Sequence, residues 1–369
     1  MATNKKVLLP HQLYFLTVQS ISSILLFALP YIVNDYSRHN AWISAIFTLI
    51  FFQLMGIVTL SLHKRLPDKH LFQMTKVLTN KWVGRLLNWL YIIYYIILAT
   101  YTTLYFTYLS KEWTLPVTPL FVIYLIFIIL GIYLAFGKIT SLARFSGIIL
   151  IGLTGFLIFC MCFGISKMNP LFLLPVGNVP LTDIVQGSYH MSVGYVGGSS
   201  LLVLLPLVEG SDKSKKRVVR YSILTVSLIY LFLLVICLAH FGTYTLELVP
   251  IPVLYLLKIL TVLGIFERMD LIIMCAWIAP MLISYALFIY VAGVGIADNT
   301  FLKSKKIIIW VLSILIFILC SIFPATQENI NLATDILLPV TVLFMIGVPI
   351  LLLALAIIRK INQSTKSSG

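Results

Sequence analysis

Apolar residues fill ten long stretches of the chain, and polar residues are concentrated in the connections between them. The stretches cover residues 12–34, 41–62, 84–109, 117–135, 141–165, 183–206, 218–242, 269–297, 306–323 and 334–358. Each is close to the ~20 residues that an α-helix needs to cross the hydrocarbon core of a bilayer. The pattern predicts an all-α membrane protein with ten transmembrane helices, numbered here as spans one to ten.

The basic residues are distributed unevenly over the connections. All but five of the 26 Lys and Arg residues fall on the side of the two termini. The five exceptions are Arg38, Lys111, Lys167, Lys258 and Arg268. Because positive residues near span ends stay on the cytoplasmic side, both termini are predicted to be cytoplasmic. Contact with membrane lipid explains the net charge of +14, and no nucleic-acid partner is expected.

Composition and motifs narrow the functional classes. With 60% hydrophobic and 10% charged residues, the chain leaves little material for a separate soluble domain. No cleavable signal is evident. The five cysteines lie inside apolar stretches without metal-binding spacing, so neither a disulfide nor a metal or other cofactor is expected. Motifs for a nucleophile, a phosphate loop or a dinucleotide are missing from the sequence, which argues against an enzyme.

Two long connections indicate an internal repeat. Residues 63–83 follow span two on the cytoplasmic side, and residues 243–268 follow span seven on the outer side, with a helical run from Pro252 to Phe266. Two five-helix units in opposite orientation are typical of secondary transporters. The predicted units are a cytoplasmic tail (1–11), the first repeat (12–166), an outer linker (167–182), the second repeat (183–358) and a second cytoplasmic tail (359–369).

In this architecture the first span of each repeat is broken near the middle and binds ligand there. Span six contains three glycines and two serines between Gly194 and Ser200, which favours an irregular segment, although small residues also serve close helix packing. Span one offers only the polar run 19–23, whose serines fit a break or an intact helix equally well. The candidate ligand contacts from both spans are Gln19, Ser20, Ser22, Ser23, Gly194, Tyr195, Gly197, Gly198 and Ser199.

Span three carries tyrosines at helical spacing. The stripe consists of Tyr91, Tyr94, Tyr101, Tyr105 and Tyr108. Its central pair, Tyr101 and Tyr105, either lines a polar cavity or belongs to ordinary packing. His190 precedes the glycine cluster and is either a neutral histidine with one partner or a proton-linked residue.

A series of short motifs then resembles one known family. Before span eight the chain reads Gly-Ile-Phe-Glu-Arg-Met-Asp (264–270), and Trp277 follows. Further matches are Val18-Gln19-Ser20 and Leu29-Pro30 in span one, and Leu205-Pro206 before a lysine-rich loop. In order and spacing over residues 12–360, these motifs resemble the B-subunit family of spore germination proteins, the membrane component of nutrient germinant receptors.

The resemblance implies a fold, a function and partners. The fold would be the leucine-transporter-like fold of the amino acid–polyamine–organocation superfamily. The protein would sense an amino acid or similar small nutrient in the spore inner membrane, together with the A and C subunits of the receptor. Relatives often carry glycines in the span-one break, where this chain has Ser23 and Leu25. The alternatives are an active, ion-coupled amino-acid permease of the same fold and a structural scaffold without a ligand.

Overall fold

A computed structural model describes residues 6–260 and 267–361. Within these ranges the chain is helical, and its one β-bridge joins Leu8 to Val208. In chain order the α-helices are α1 (Pro10–Ser22), α2 (Leu29–Ser37), α3 (Ala41–Arg65), α4 (Leu71–Leu78), α5 (Lys81–Trp113), α6 (Leu120–Phe136), α7 (Ile139–Ile149), α8 (Gly155–Cys162), α9 (Leu181–Met191), α10 (Leu201–Leu204), α11 (Asp212–Leu246), α12 (Pro252–Ile259), α13 (Met269–Ala276), α14 (Ile278–Asn299), α15 (Lys305–Ile322), α16 (Gln327–Val342) and α17 (Val348–Ile358).

Eight helical segments of the described chain are long and apolar enough to cross a membrane. Helix α6 is apolar too but has only 17 residues. Large apolar side chains also cover the outside of the helix bundle; on α3, for example, Ile50, Leu54 and Ile57 are each more than half exposed. A helix that is apolar on its outer face as well needs an apolar surrounding. The protein is therefore a multi-pass membrane protein.

The first span is broken, but not at its polar run. Helix α1 ends at Ser22 and α2 begins at Leu29, so the turns between them cover the mostly apolar residues 23–28. Ser20 and Ser22 donate hydrogen bonds to the carbonyls of Thr17 (3.0 Å) and Val18 (2.9 Å). Such bonds to the preceding turn are compatible with an intact helix. Of the two interpretations of the run 19–23, the intact helix holds for residues 19–22, and the interruption begins at Ser23.

The sixth span leaves α-helical geometry where the glycines lie. Helix α9 continues as a 3₁₀ helix, Ser192–Ser200, before α10 begins. Gly197 also serves close packing, because a Cβ atom at this position would lie 2.3 Å from the carbonyl oxygen of Ser20. The two interpretations of the glycine cluster therefore both hold: the helix changes its winding, and it approaches α1 backbone to backbone.

Corresponding features recur in the two halves of the chain. The long connections each contain an eight-residue helix, α4 and α12. The second is shorter than the expected run from Pro252 to Phe266, whose last residues, 261–266, lie outside the described residues. A π-helical turn interrupts span five at Leu150–Thr154 and span ten at Leu343–Gly347.

The helix bundle has a basic end and an opposite end, which are defined by the connections that they carry. The basic end carries the connections 66–70, 79–80, 137–138, 208–211 and 300–304. The opposite end carries the connections 38–40, 114–119, 163–180, 247–251 and 323–326. Backbone contacts such as Val7 N to Leu207 O (2.8 Å) hold the N-terminal segment at the basic end.

Candidate ligand site

A cavity of about 240 Å³ opens at the opposite end, among α2, α5, α9 and α16. Its floor is formed by Leu25 and Ala28 from the break in span one and by Val193 from the 3₁₀ segment of span six. Both interruptions of the helical core therefore border the same space. A site of this kind offers a small molecule close approach to two irregular backbone segments.

Stacked tyrosines from α5 form one wall of this cavity. The ring centroids of Tyr101 and Tyr105 are 5.9 Å apart, and those of Tyr105 and Tyr108 are 6.3 Å apart. Tyr101 shares a 2.8 Å hydrogen bond with Thr334 on α16. The hydroxyl of Tyr105 is buried and has no hydrogen-bond partner within the described residues. The structure thus places Tyr101 and Tyr105 at the cavity.

The remaining tyrosines of the stripe lie deeper. Tyr91 donates a hydrogen bond to the carbonyl of Phe344 (2.8 Å), and Tyr94 stacks on the Phe344 ring at 5.1 Å. Both contacts join α5 to the π-helical turn of span ten. Span three therefore divides into a half that lines the outer cavity and a half that packs on span ten, where Tyr91 also borders a second, inner cavity.

At the mouth of the cavity, Tyr36 stacks on His190 with 3.8 Å between the ring centroids. His190 Nδ1 lies 2.9 Å from the carbonyl of Gln186. Two exposed carboxylates, Asp35 and Asp335, also border the cavity. Sequence reasoning missed both, although each lies at the outer edge of an apolar stretch, the first and the last of the chain, and this position could have indicated them.

The other candidate residues from span one are packed in the protein interior. Gln19, Ser20, Ser22 and Ser23 are fully buried. Ser23 shares a 2.6 Å hydrogen bond with Ser284 on α14. The side-chain amide of Gln19 is buried without a partner among the described residues. The structure does not bring these four residues to the wall of the 240 Å³ cavity.

The candidates from span six border a second, smaller space. Tyr195, Gly198 and Ser199 line an inner cavity of about 20 Å³, whereas Gly194 and Gly197 pack against neighbouring helices. Tyr195 is anchored by a 2.7 Å hydrogen bond to Ser227 and stacks on Phe52. Of the eleven predicted site residues, Tyr101 and Tyr105 therefore line the outer cavity, three line the inner one, and the other six line neither.

Uncompensated hydroxyls lie on α5 and α16. Tyr94 Oη, Tyr95 Oη and Thr341 Oγ1 are buried and have no partner within the described chain. A buried polar group without a partner costs roughly 1–3 kcal/mol.

The motif around span eight supports the break in span one. Trp277 donates a 2.8 Å hydrogen bond to the carbonyl of Ser23, and its ring packs on Phe27 at 4.5 Å. The hydroxyl of Tyr230 lies 3.0 Å from the carbonyl oxygen of Ile21 and 2.8 Å from that of Gly194 and shares its single proton between them, which connects the two breaks. Carbonyls freed by helix interruption are thereby satisfied inside the protein.

Of the two acidic residues of the same motif, Asp270 fixes the end of α5. Asp270 is fully buried, and it accepts hydrogen bonds from the indole of Trp113 (2.8 Å) and from Arg268 (3.1 Å). The side-chain hydrogen bond and the charge of Asp270 raise the pKa of Arg268. The first three motif residues, 264–266, lie outside the described residues. In the described part, the motif holds helices that surround the cavity and does not line it.

The comparisons with known proteins agree with this architecture. The profile of the spore germination protein family matches residues 7–330. The chain belongs to the spore germination protein family. Spore germination protein GerQB of Bacillus cereus is 23% identical over 327 residues, which cover 88% of each chain. Spore germination protein A2 of Bacillus subtilis is 26% identical over 309 residues, which cover 81% of each chain.

Solved transporter structures share the fold of this family member. Mhp1, a nucleobase–cation symport-1 family transporter in a closed conformation with bromovinylhydantoin bound, matches with a TM-score of 0.65 and 12% identity. A Na⁺-coupled sialic acid symporter in a substrate-bound, outward-open state matches with a TM-score of 0.64 and 13% identity. Each match covers 92% of this chain and 78% of the transporter. The fold is thus that of leucine-transporter-like transporters.

Proposed function

We propose that this spore germination protein is the ligand-sensing membrane subunit of a nutrient germinant receptor. The observation that carries the proposal is the 240 Å³ cavity, whose floor consists of residues from both helix breaks. A ligand bound there contacts two segments that belong to different halves of the fold. If the ligand prefers one arrangement of these halves, binding shifts their equilibrium and signals to other subunits. The proposed role of the protein is to bind a ligand and not to catalyse a reaction.

The proposed topology has ten crossings with both termini in the cytoplasm. The interrupted pair α1–α2 and the 17-residue α6 are counted with the longer apolar helices, and the Lys and Arg distribution sets the orientation. The opposite end of the bundle then faces outward. The paired connection helices and the paired π-helical turns support two inverted repeats, 12–166 and 183–358, with the linker 167–182 between them.

The proposed ligand is an amino acid or a similar small nutrient. It would occupy the outer cavity against Tyr101 and Tyr105. The polar run Gln19–Ser23, which precedes the break in span one, and the residues Gly194–Ser199 of the 3₁₀ segment would complete the contacts from below when the cavity closes. The proposed protein partners are the A and C subunits of the receptor, which follow from the resemblance to the B subunits of such receptors.

The second candidate function is an active, ion-coupled permease. It is favoured by the fold, because two solved structures that share this architecture are a nucleobase–cation symport-1 family transporter and a Na⁺-coupled symporter. Permease and sensor share a ligand site and differ in net flux.

A flux experiment separates the two functions. The purified protein is reconstituted in vesicles with labelled amino acids under imposed proton and sodium gradients. A sensor retains an amount of ligand close to the amount of protein in the vesicles. A permease instead accumulates ligand inside the vesicles above the outside concentration. Accumulation would refute the sensor proposal.

Three variants locate the ligand. Ala28→Leu fills the outer cavity, Gly198→Leu fills the inner cavity, and Ala333→Leu on α16 is the control that lines neither. We expect Ala28→Leu to abolish retention and the germination response at an unchanged membrane level. We expect Gly198→Leu to abolish the response by blocking closure from below. Normal responses in both variants would contradict the site assignment.

A further inference from the structure

The charge of the outer cavity selects the chemical class of its ligand. Two carboxylates, Asp35 and Asp335, border it, and no Lys or Arg of the described residues does. The neighbouring cation on the chain, Arg38, is paired with Glu247 at 3.6 Å. A cleft lined by charge of one sign concentrates ions of the other sign.

The aromatic lining adds a second attraction for cations. Five tyrosines line the cavity: Tyr31, Tyr36, Tyr101, Tyr105 and Tyr108. An ammonium group is attracted to the face of such rings within about 6 Å of the ring centroid. The protein uses this contact at the same end of the bundle, where Lys258 Nζ lies 5.9 Å from the ring centroids of Trp113 and Tyr255. Ring faces suit an organic ammonium group, whereas a metal cation requires oxygen ligands.

A buried hydrogen-bond donor, the hydroxyl of Tyr105, provides a further polar contact for a ligand in the cavity. Tyr105 is 2% exposed, and its hydroxyl has no partner in the described part of the chain although the residue lines the cavity. Leaving this hydroxyl unpaired is costly, and a carbonyl oxygen of a ligand would satisfy it. The volume of about 240 Å³ corresponds to roughly eight water-sized groups.

We infer that the outer cavity binds small organic ammonium compounds, with the ammonium group held between Asp35, Asp335 and the tyrosine rings and a carbonyl group against Tyr105. Compounds with a net negative charge are excluded by the two carboxylates. This inference rests on the proposed function and specifies its ligand. It differs from recognition at the helix breaks alone, because the carboxylates come from the outer ends of spans one and ten.

An isosteric ligand series tests the inference. L-valinamide, L-valine, isovaleramide and isovalerate have the same branched carbon skeleton but differ in their charged groups. Binding is measured by calorimetry on the full-length protein in nanodiscs of zwitterionic lipid. We expect L-valinamide to bind at least tenfold tighter than isovaleramide, L-valine to bind between them, and isovalerate not to bind.

Substitutions assign the effect to the named residues. The double variant Asp35→Asn/Asp335→Asn should weaken L-valinamide binding at least tenfold and leave isovaleramide unchanged. The matched control is Glu328→Gln, an exposed acid on α16 that does not line the cavity. Tyr105→Phe should weaken L-valinamide and isovaleramide by similar factors. At equal ionic strength, tetramethylammonium chloride should compete with L-valinamide better than potassium chloride does.

Three results would overturn the inference: equal binding of isovalerate and L-valinamide, an unchanged affinity in the double Asn variant, or equal competition by potassium. If no member of the series binds but the vesicles retain an uncharged nutrient, the inference fails and the proposed function stands. If nothing is retained and Ala28→Leu spores germinate normally, both fail.

Discussion

The two halves of α5 meet very different surroundings. Near the opposite end, Tyr101 and Tyr105 face a cavity that opens to the exterior of the bundle and is rich in carboxylate and aromatic groups. Near the basic end, Asn88 is fully buried and hydrogen-bonded on several sides. One continuous helix therefore borders an open space at one end and a closed seal at the other.

The seal at the basic end consists of polar contacts between α4, α5 and α14. Asn88 accepts a hydrogen bond from Thr75 (2.6 Å) and donates to Phe72 O (2.8 Å) and Asn299 Oδ1 (3.1 Å). Lys76 forms a 2.8 Å salt bridge with Asp298. The connection helix α4 is thereby tied to the C-terminal end of α14.

The difference between the two ends shows which one a ligand can enter in this conformation. The cavity side contains an open space of about 240 Å³ between α2, α5, α9 and α16. The sealed side has a network in which Asn88, Lys76 and Asp298 each have a partner on another helix. A receptor or transporter that changes state would have to rearrange the seal, so the hydrogen bonds there should control the balance between states.

Removing the centre of the seal should have the largest effect. In Asn88→Ala three hydrogen bonds are lost, each with a net contribution of about 1 kcal/mol, so the free energy of unfolding should fall by about 3 kcal/mol. Thermal unfolding in detergent measures this loss. Asn178→Ala, at an exposed site in the connection 163–180 of the opposite end, is the control and should change stability by less than about 0.5 kcal/mol. Equal effects of the two variants would show that Asn88 contributes no more to stability than an exposed asparagine does.

Acidification should weaken the seal through His70, which lies in the connection between α3 and α4. Burial lowers the pKa of His70 from 6.5 to about 4, although Asp298 opposes the shift and Lys76 adds to it. The unfolded chain therefore binds the proton more readily, and stability falls as the pH drops below about 6.5. Between pH 7.5 and 5 we expect His70 to contribute about 2 kcal/mol to the loss of stability.

Two variants, one at His70 and one control, test whether His70 causes this pH effect. His70→Phe should remove about 2 kcal/mol of the difference between pH 7.5 and pH 5, whereas His11→Phe, at an exposed position, should retain it. Unfolding curves at the two pH values give the comparison. A wild-type pH dependence in His70→Phe would assign the effect to other groups.

The hydrogen bond from Trp277 that anchors the span-one break should contribute less to stability than the hydrogen bonds of Asn88. Trp277→Phe keeps an aromatic ring beside Phe27 but leaves the carbonyl of Ser23 without its donor, which should cost roughly 1–2 kcal/mol. Trp310→Phe replaces a half-exposed ring on the outside of α15 and should be nearly neutral. Unfolding of both variants under one set of conditions tests the expectation, and a neutral Trp277→Phe would show that the break does not depend on this bond.

The sequence predicted well those parts of the site that lie on regular helices. Tyr101 and Tyr105 recur at helical spacing, so their common face followed from the period of the helix. The glycines of span six likewise indicated where the helix changes its winding. Span one was harder, because its serines bond back to their own helix and the interruption falls on the mostly apolar residues 23–28.

The remaining parts of the site depend on contacts between distant segments. Asp35 and Asp335 are separated by almost the whole chain, and only the packing of α2 and α16 around one cavity brings them to the same space. The carbonyl of Ser23 is satisfied by Trp277, more than 250 positions away along the sequence. No local pattern encodes such partners.

The chain by itself determined that this is a helical membrane protein, because hydropathy and helix length follow directly from the solvent that surrounds each residue. It also indicated the family, through short motifs in a fixed order. The tertiary structure alone decided that one end is open and the other sealed, and that only five of the eleven candidate residues line a cavity, two of them the outer and three the inner. The reason is physical: apolar burial fixes which segments enter the membrane, whereas the positions of cavities and hydrogen-bond partners depend on how the buried helices pack.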